Sequence, residues 1–351
     1  MPRTRVLVVE DSVTVRKRLV DALLADPEIE LVGEAEDGKQ AVELCRLQRP
    51  DVITMDMMMP VMSGLAATEY IMAHQPTPIL IVSASINRGE LFKIYDALAA
   101  GAVDVLEKPT GDEFDGAWER RLLSAVKLVA KIKVITHPRA RLQEKRRSAR
   151  VPPPAAQSLD IVAIGASTGG PGAVVEVLRK LPARFQVPIL VVVHMNDPFG
   201  SAFTDWLDAQ IDRRVVNPEH GASVASARGR VIVAPSDRHL VVRERHMFLT
   251  RDQERHSCRP SVDVLFESIA CGYGASAAAC LLTGMGRDGA LGLLKIREAG
   301  GVTIAQDEAS SVIYGMPREA AALGAAVHIL PIGEIGPRLA YLQGITAESL
   351  Q

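Results

Sequence analysis

From Val6 onward, short runs of β-branched residues alternate with stretches whose apolar positions recur at helical spacing. The alternation predicts strands over 5–9, 30–34, 51–55, 78–83 and 103–106, and helices over 12–25, 38–48, 64–74, 88–100 and 113–131. Five strands interleaved with five helices make a doubly wound parallel sheet, in which ligand sites gather beyond the carboxyl ends of the strands. A second tract repeats the theme. Strands are predicted at 160–165, 187–193, 230–234, 240–243, 246–250, 277–283, 302–306 and 326–330, with helices near 172–181, 200–211, 261–272, 290–299, 317–324 and 333–344. This is a second α/β domain with a mainly parallel, doubly wound sheet. Glu219 to Asp252, rich in short alternating pairs and turns, reads as an antiparallel hairpin extension at one side of that sheet.

The two tracts are separated by a change of composition. Residues 1–131 hold 15 Lys+Arg against 21 Asp+Glu, whereas 132–157 hold 7 against 1, with Pro152, Pro153 and Pro154 at the end. High charge with consecutive prolines predicts an extended, solvated linker. The expected organisation is therefore domain 1–131, basic linker 132–157, domain 158–346 and a short tail 347–351. No helix-turn-helix pattern or stacking aromatics accompany the basic run, so nucleic acid is not an expected partner. Cys45, Cys258, Cys271 and Cys280 are scattered, without the spacing of a disulfide framework or a zinc site. No apolar run approaches the roughly 18 residues of a membrane span. The reading is a cytoplasmic monomer that does not insert into membranes.

Candidate chemistry in the first domain sits at strand ends. Glu10 and Asp11 follow the first strand, Asp56 ends the third, Ser83 ends the fourth and Lys108 follows the fifth. Converging carboxylates repel one another unless a cation joins them, and an all-oxygen donor set favours Mg²⁺. The ion would let Asp56 attack a phosphoryl donor while Ser83 and Lys108 contact the transferred group. Val8-Val9-Glu10-Asp11-Ser12, Met55-Asp56-Met57-Met58-Met59-Pro60 with Gly64, Ser83-Ala84 and Lys108-Pro109 together resemble a two-component receiver. The resemblance implies that Asp56 takes phosphate from a histidine kinase, with Glu10, Asp11 and Asp56 holding Mg²⁺. It departs from the receiver pattern at Ser63, where Asp often precedes the glycine, and in lacking a clear aromatic ahead of Lys108.

In the second domain an apolar strand breaks into Gly165-Ala166-Ser167-Thr168-Gly169, followed by Gly170-Pro171 and a helix. This fits the G-x-S-x-G elbow that exposes a nucleophilic serine, although such turns also serve as phosphate cradles or plain connections. A serine nucleophile needs a base and a group to orient it. His194 closes the next strand and Asp288 follows the strand after Ala277, so both can reach the same sheet edge. Gly284-Met285-Gly286-Arg287-Asp288-Gly289 also matches G-x-G-x-x-G, with Asp307 where a ribose-binding acid would stand. Asp288 would put negative charge where pyrophosphate must sit, which ranks a dinucleotide site below the triad.

Gly165-Ala-Ser-Thr-Gly-Gly170, His194-Met195, Arg259-Pro-Ser-Val-Asp-Val-Leu-Phe266, Leu282-Thr-Gly-Met-Gly-Arg-Asp-Gly289, Thr303-Ile-Ala-Gln-Asp307 and Gly315-Met-Pro-Arg-Glu-Ala320 resemble the chemotaxis protein-glutamate methylesterase/protein-glutamine glutaminase family. The resemblance implies Ser167 as nucleophile, His194 as base and Asp288 as its orienting partner, with no metal in this domain. Backbone N–H groups in the glycine-rich turns, Thr168 and Met285 among them, would hold the oxyanion. The implied reaction is hydrolysis of γ-glutamyl methyl esters, with glutamine deamidation beside it, on the cytoplasmic region of methyl-accepting chemoreceptors. Phosphorylation of Asp56 would shift the population from a covered to an open serine cleft. Val193 and Arg287 depart from the family pattern on either side of the triad. The competing reading is a response regulator whose output domain binds a nucleotide or protein without catalysis.

Overall fold

The structure, a computed structural model, describes residues 3–84, 88–109, 116–132, 134, 159–195 and 199–345. The expected tail, and the expected linker apart from Ile132 and Val134, lie outside them. The chain divides into two compact units, 1–147 and 148–351.

In the first unit the elements run β1 (Thr4–Val9), α1 (Val13–Leu24), β2 (Ile29–Ala35), α2 (Gly38–Gln48), β3 (Val52–Met55), α3 (Gly64–His74), β4 (Ile79–Ser83), α4 (Arg88–Ala99), β5 (Asp104–Glu107) and α5 (Ala117–Val129). The strands form a parallel sheet in the order β2-β1-β3-β4-β5. Helices cover a parallel sheet on both faces, so its inner strands must be apolar on both sides, and β3 and β4 are buried along their whole length. The order reverses between β1 and β3, which opens a crevice at their carboxyl ends. Glu10 and Asp56 stand at that crevice. Ser63 caps α3, its hydroxyl accepting from Ala66 N–H at 3.3 Å, so the departure from the receiver pattern serves the loop.

The second unit runs β6 (Ile161–Ala166), α6 (Gly170–Arg179), β7 (Ile189–Val193), α7 (Phe199–Gln210), β8 (Val215–Val216), β9 (Val231–Val233), β10 (His239–Arg243), β11 (His246–Thr250), α8 (Val262–Tyr273), β12 (Ala277–Leu281), α9 (Ala290–Glu298), β13 (Val302–Gln306), α10 (Met316–Ala322), β14 (His328–Leu330) and α11 (Ile332–Leu342). Seven strands pair in parallel in the order β14-β13-β12-β6-β7-β9-β8. β8, two residues long, is too short to leave a periodic signal. The hairpin is antiparallel as expected but forms its own two-stranded sheet, β10 with β11, and the Ser268 hydroxyl on α8 accepts from Val242 N–H at 3.0 Å. β12 stops two residues before the expected end because Thr283 N–H turns to the Gln306 side chain, 2.7 Å away. Among the described residues no helix is long and apolar enough to cross a membrane.

β6 lies at the centre of the seven strands, and the topology switches direction between β6 and β12. The core against this part of the sheet is built by α8 and α9, with Leu265, Phe266, Ile269, Leu293 and Ile296 fully buried. Phe266→Ala should therefore cost about 3–5 kcal/mol in the second unit. The chain has two tryptophans, Trp118 in the first unit and Trp206 in the second. Urea unfolding followed by Trp206 fluorescence in a Trp118→Phe background reads that loss, and an unchanged midpoint would contradict the packing described.

Candidate active site and phosphoacceptor site

Ser167 follows the last residue of β6 and His194 follows the last residue of β7, adjacent strands whose register pairs Ala166 with Val193. Backbone bonds fix both turns: His194 N–H donates to Ala166 O at 3.1 Å and Ser167 N–H to Thr283 O at 3.0 Å. The chain can reverse so tightly after Ser167 because Gly169, the residue before α6, takes φ +76°. Gly284 lies against the serine: a Cβ there would fall 2.7 Å from Ser167 Cβ and 2.4 Å from Met316 Sδ. The first glycine of the G-x-G-x-x-G turn is thus required by the close approach of Ser167.

Asp288, 3% exposed, sits where α8 begins. Its Oδ1 accepts from the Ser261 hydroxyl at 2.8 Å and from Asp263 N–H at 3.0 Å; its Oδ2 accepts from Val262 N–H at 2.7 Å and from His194 Nε2–H at 2.8 Å. A helix start carries unpaired N–H groups and partial positive charge, a natural seat for a carboxylate. Burial alone would raise the Asp288 pKa, but its bond and charge interaction with His194 and the α8 donors hold it below the usual value. For His194 burial favours the neutral ring; the Asp288 hydrogen bond, joined by the Cys258 sulfur, outweighs this and pushes the pKa up to about 9. His194 and Asp288 are thus brought together as the triad expectation requires. The Ser167 hydroxyl is half-buried nearby and makes no hydrogen bond to His194.

Several residues that shape this site carried no chemical assignment from sequence. Ser261 N–H donates to His239 Nδ1 at 3.1 Å, and the buried His239 ring bonds Gln253 O at 3.2 Å through Nε2. Since Nδ1 accepts, His239 carries its proton on Nε2. Asp263, fully buried, accepts from Gly292 N–H at 2.7 Å and pairs with His256 at 3.0 Å. Cys258 Sγ lies 3.7 Å from His194 Nδ1. Ser261 and Asp263 had a local signal, since Ser before an apolar run with Asp two residues on is a helix start. His239 and Cys258 had none, because only folding brings the start of β10 to Ser261 and the loop carrying Cys258 to His194.

The remaining expectations map as follows. Among the described residues, neither Thr168 N–H nor Met285 N–H donates to a backbone acceptor. Arg287 is exposed, its Nε 3.4 Å from His256 Nδ1. Val193 is buried on β7. Asp307 accepts from Ser310 N–H at 3.0 Å and from the Ser310 hydroxyl at 2.5 Å, a local turn rather than a ribose contact. Asp288 also puts a buried negative charge at this turn, where the phosphates of a nucleotide would have to sit.

In the first unit Glu10 is buried and Asp56 is 3% exposed. Lys108 Nζ bridges them, 2.8 Å from Glu10 Oε2 and 3.0 Å from Asp56 Oδ1. Burial pushes both carboxyls up against the opposing effect of Lys108, whose own pKa is raised by the same partners despite burial. Oxygens of Glu10, Asp11 and Asp56 lie within 4.8 Å of one another. Three carboxylates facing one lysine leave uncompensated negative charge, and the all-oxygen set fits a hard divalent cation. Ser83 is buried at the end of β4, and its carbonyl accepts from Lys108 N–H at 3.0 Å.

Comparison with known proteins matches both units to known families. The CheB methylesterase family matches residues 162–339 and the response regulator receiver domain family matches 6–114. The chain belongs to the CheB family. It has that family's receiver and methylesterase/glutaminase domains. A protein-glutamate methylesterase/protein-glutamine glutaminase of Anaeromyxobacter dehalogenans is 44% identical over 331 residues, covering 94% of each chain. One from Nitrosospira multiformis is 42% identical over 353 residues, covering 96% of each. The crystal structure of the Thermotoga maritima CheB methylesterase catalytic domain superposes with TM-score 0.51 at 35% identity, covering 53% of this chain and 99% of that one.

The His194 environment yields a pH test for this CheB-type domain. With His194 as general base, the neutral ring would be the active form, and kcat/KM would rise with pH along a limb displaced from the ordinary imidazole value of 6.5 toward about 9. Removing the Asp288 charge with Asp288→Asn should move that limb to lower pH and reduce the plateau. A wild-type limb at or below 6.5 would show that Asp288 does not hold the imidazolium as the geometry implies.

Proposed function

We propose that Ser167, His194 and Asp288 form the catalytic triad of a protein-glutamate methylesterase, acting on γ-glutamyl methyl esters in the cytoplasmic region of chemoreceptors and releasing methanol. The observation carrying this reading is the 2.8 Å bond from His194 Nε2 to an Asp288 carboxylate seated on the start of α8, at the strand ends beside Ser167. With Nε2 engaged, Nδ1 is the nitrogen left to take the serine proton. The Ser167 hydroxyl must come within hydrogen-bond reach of Nδ1 when substrate binds, as catalytic contacts commonly tighten only then. Attack on the ester carbonyl gives a tetrahedral oxyanion, for which the N–H groups of Thr168 and Met285 are suited donors. Collapse expels methanol, and water then cleaves the glutamyl-enzyme through the same base. A glutamine side chain would follow the same course with ammonia as leaving group.

The receiver supplies control. Asp56 accepts phosphate from a histidine kinase, Ser83 and Lys108 contact the phosphoryl group, and Glu10, Asp11 and Asp56 would hold Mg²⁺. When bound, the ion neutralises phosphoryl oxygens and so permits attack by an anionic carboxylate. Phosphorylation then shifts the population toward a form with an accessible serine.

Methanol release from methylated receptor fragments, with and without a small phosphodonor plus Mg²⁺, tests both halves. Release should be stimulated by the donor in wild type, unstimulated in Asp56→Asn and lower by several orders of magnitude in Ser167→Ala. Release by Ser167→Ala at the wild-type rate would overturn the triad. Equal stimulation in Asp56→Asn would overturn the phosphoacceptor assignment.

A further inference from the structure

The triad histidine has a second partner that ester hydrolysis does not use. Cys258, on the loop between β11 and α8, places its Sγ 3.7 Å from His194 Nδ1. Its other contact is a 3.4 Å hydrogen bond from the thiol to His256 O. Both residues line one cleft, together with Ser236, Asp237, Glu254 and Arg259. Donor atoms of His194, Cys258 and Asp288 all lie within 4.8 Å of one another, although the three residues come from different parts of the chain.

We infer that Cys258 Sγ and His194 Nδ1 form a binding site for a thiophilic divalent cation, Zn²⁺ above all, and that the bound ion inhibits the esterase. The spacing suits tetrahedral zinc: Zn–N near 2.0 Å and Zn–S near 2.3 Å set a ligand-to-ligand edge of about 3.5 Å, against the 3.7 Å observed. The orientation suits it as well. His194 donates its Nε2–H to Asp288, the carboxylate–histidine arrangement that fixes the tautomer and leaves Nδ1 free for a metal. Thiolate and imidazole select zinc over Mg²⁺, which the oxygen donors of the receiver would hold. Water entering the same cleft supplies the remaining positions.

On binding, the Cys258 S–H bond breaks and a Zn–S bond forms. That proton, together with the Nδ1 proton of His194 wherever the ring is in its imidazolium form, passes to solvent, and the thiol's bond to His256 O is lost. No oxidant or reductant is involved. The metal occupies the one nitrogen lone pair that can accept the Ser167 proton, because Asp288 already holds the other ring nitrogen. Inhibition rests on the triad proposed above, whereas metal binding does not.

The test uses the full chain, stripped with a chelator and titrated with Co²⁺, whose thiolate charge-transfer band reports a sulfur ligand and is silent for the receiver carboxylates. Wild type and Cys271→Ser should show the band at one equivalent, and Zn²⁺ should displace it. Cys258→Ser should lack it, and His194→Gln should weaken Co²⁺ binding at least tenfold. A band unchanged in Cys258→Ser, or none in wild type, would overturn the site. In methanol release, Zn²⁺ should inhibit wild type reversibly and Cys258→Ser at least tenfold less. A Cys258-dependent band in protein that never releases methanol would sink the esterase reading and leave the metal site standing. Zn²⁺-insensitive release without the band would do the reverse, and the band with uninhibited release would overturn inhibition alone.

Discussion

Burying an ionised carboxylate in a protein interior is unfavourable by several kcal/mol unless hydrogen bonds replace its water. The second unit meets this demand at Asp288 with four donors: two α8 backbone N–H groups, the Ser261 hydroxyl and His194 Nε2–H. Much of the surrounding architecture follows from that one seat. α8 must begin at the carboxyl end of β12, so its Val262 packs where a side chain on Gly165 or Gly289 would intrude. The loop before α8 is held by Ser261 N–H on His239, and that loop brings Cys258 to the histidine.

The same principle, applied with a different counter-charge, organises the first unit. There Glu10 and Asp56 are buried beside a lysine, and the carboxyls are pushed upward rather than held down. The contrast is chemical. Asp288 is saturated by fixed dipoles and one ring, which suits a permanent orienting role. Asp56 keeps uncompensated charge that suits a cation, because one lysine cannot satisfy three carboxylates.

Strand and helix identity was legible in the sequence wherever burial was two-sided or amphipathic. The apolar runs at 78–83 and 187–193 correspond to β4 and β7, and Pro171 after two glycines marked the start of α6. The strand-end positions of Glu10, Asp56, Ser83, Lys108, Ser167, His194 and Asp288 were legible for the same reason, because parallel strands place their carboxyl ends on one edge. β8 was not, since two residues carry no period. Nor was the independence of the β10–β11 hairpin, because alternation shows that a strand has two unlike faces and not which strand lies beside it.

The sequence by itself determined two α/β domains, their families and the residue types gathered at each sheet edge. Tertiary structure alone decided that Asp288 rests on α8, that Ser261 and His239 support that seat, and that Cys258 faces the histidine. The physical reason is range. Periodicity and turn chemistry act over a few residues, whereas these contacts join groups 22 to 94 positions apart, and only packing of the helices and loops against the sheet selects such partners.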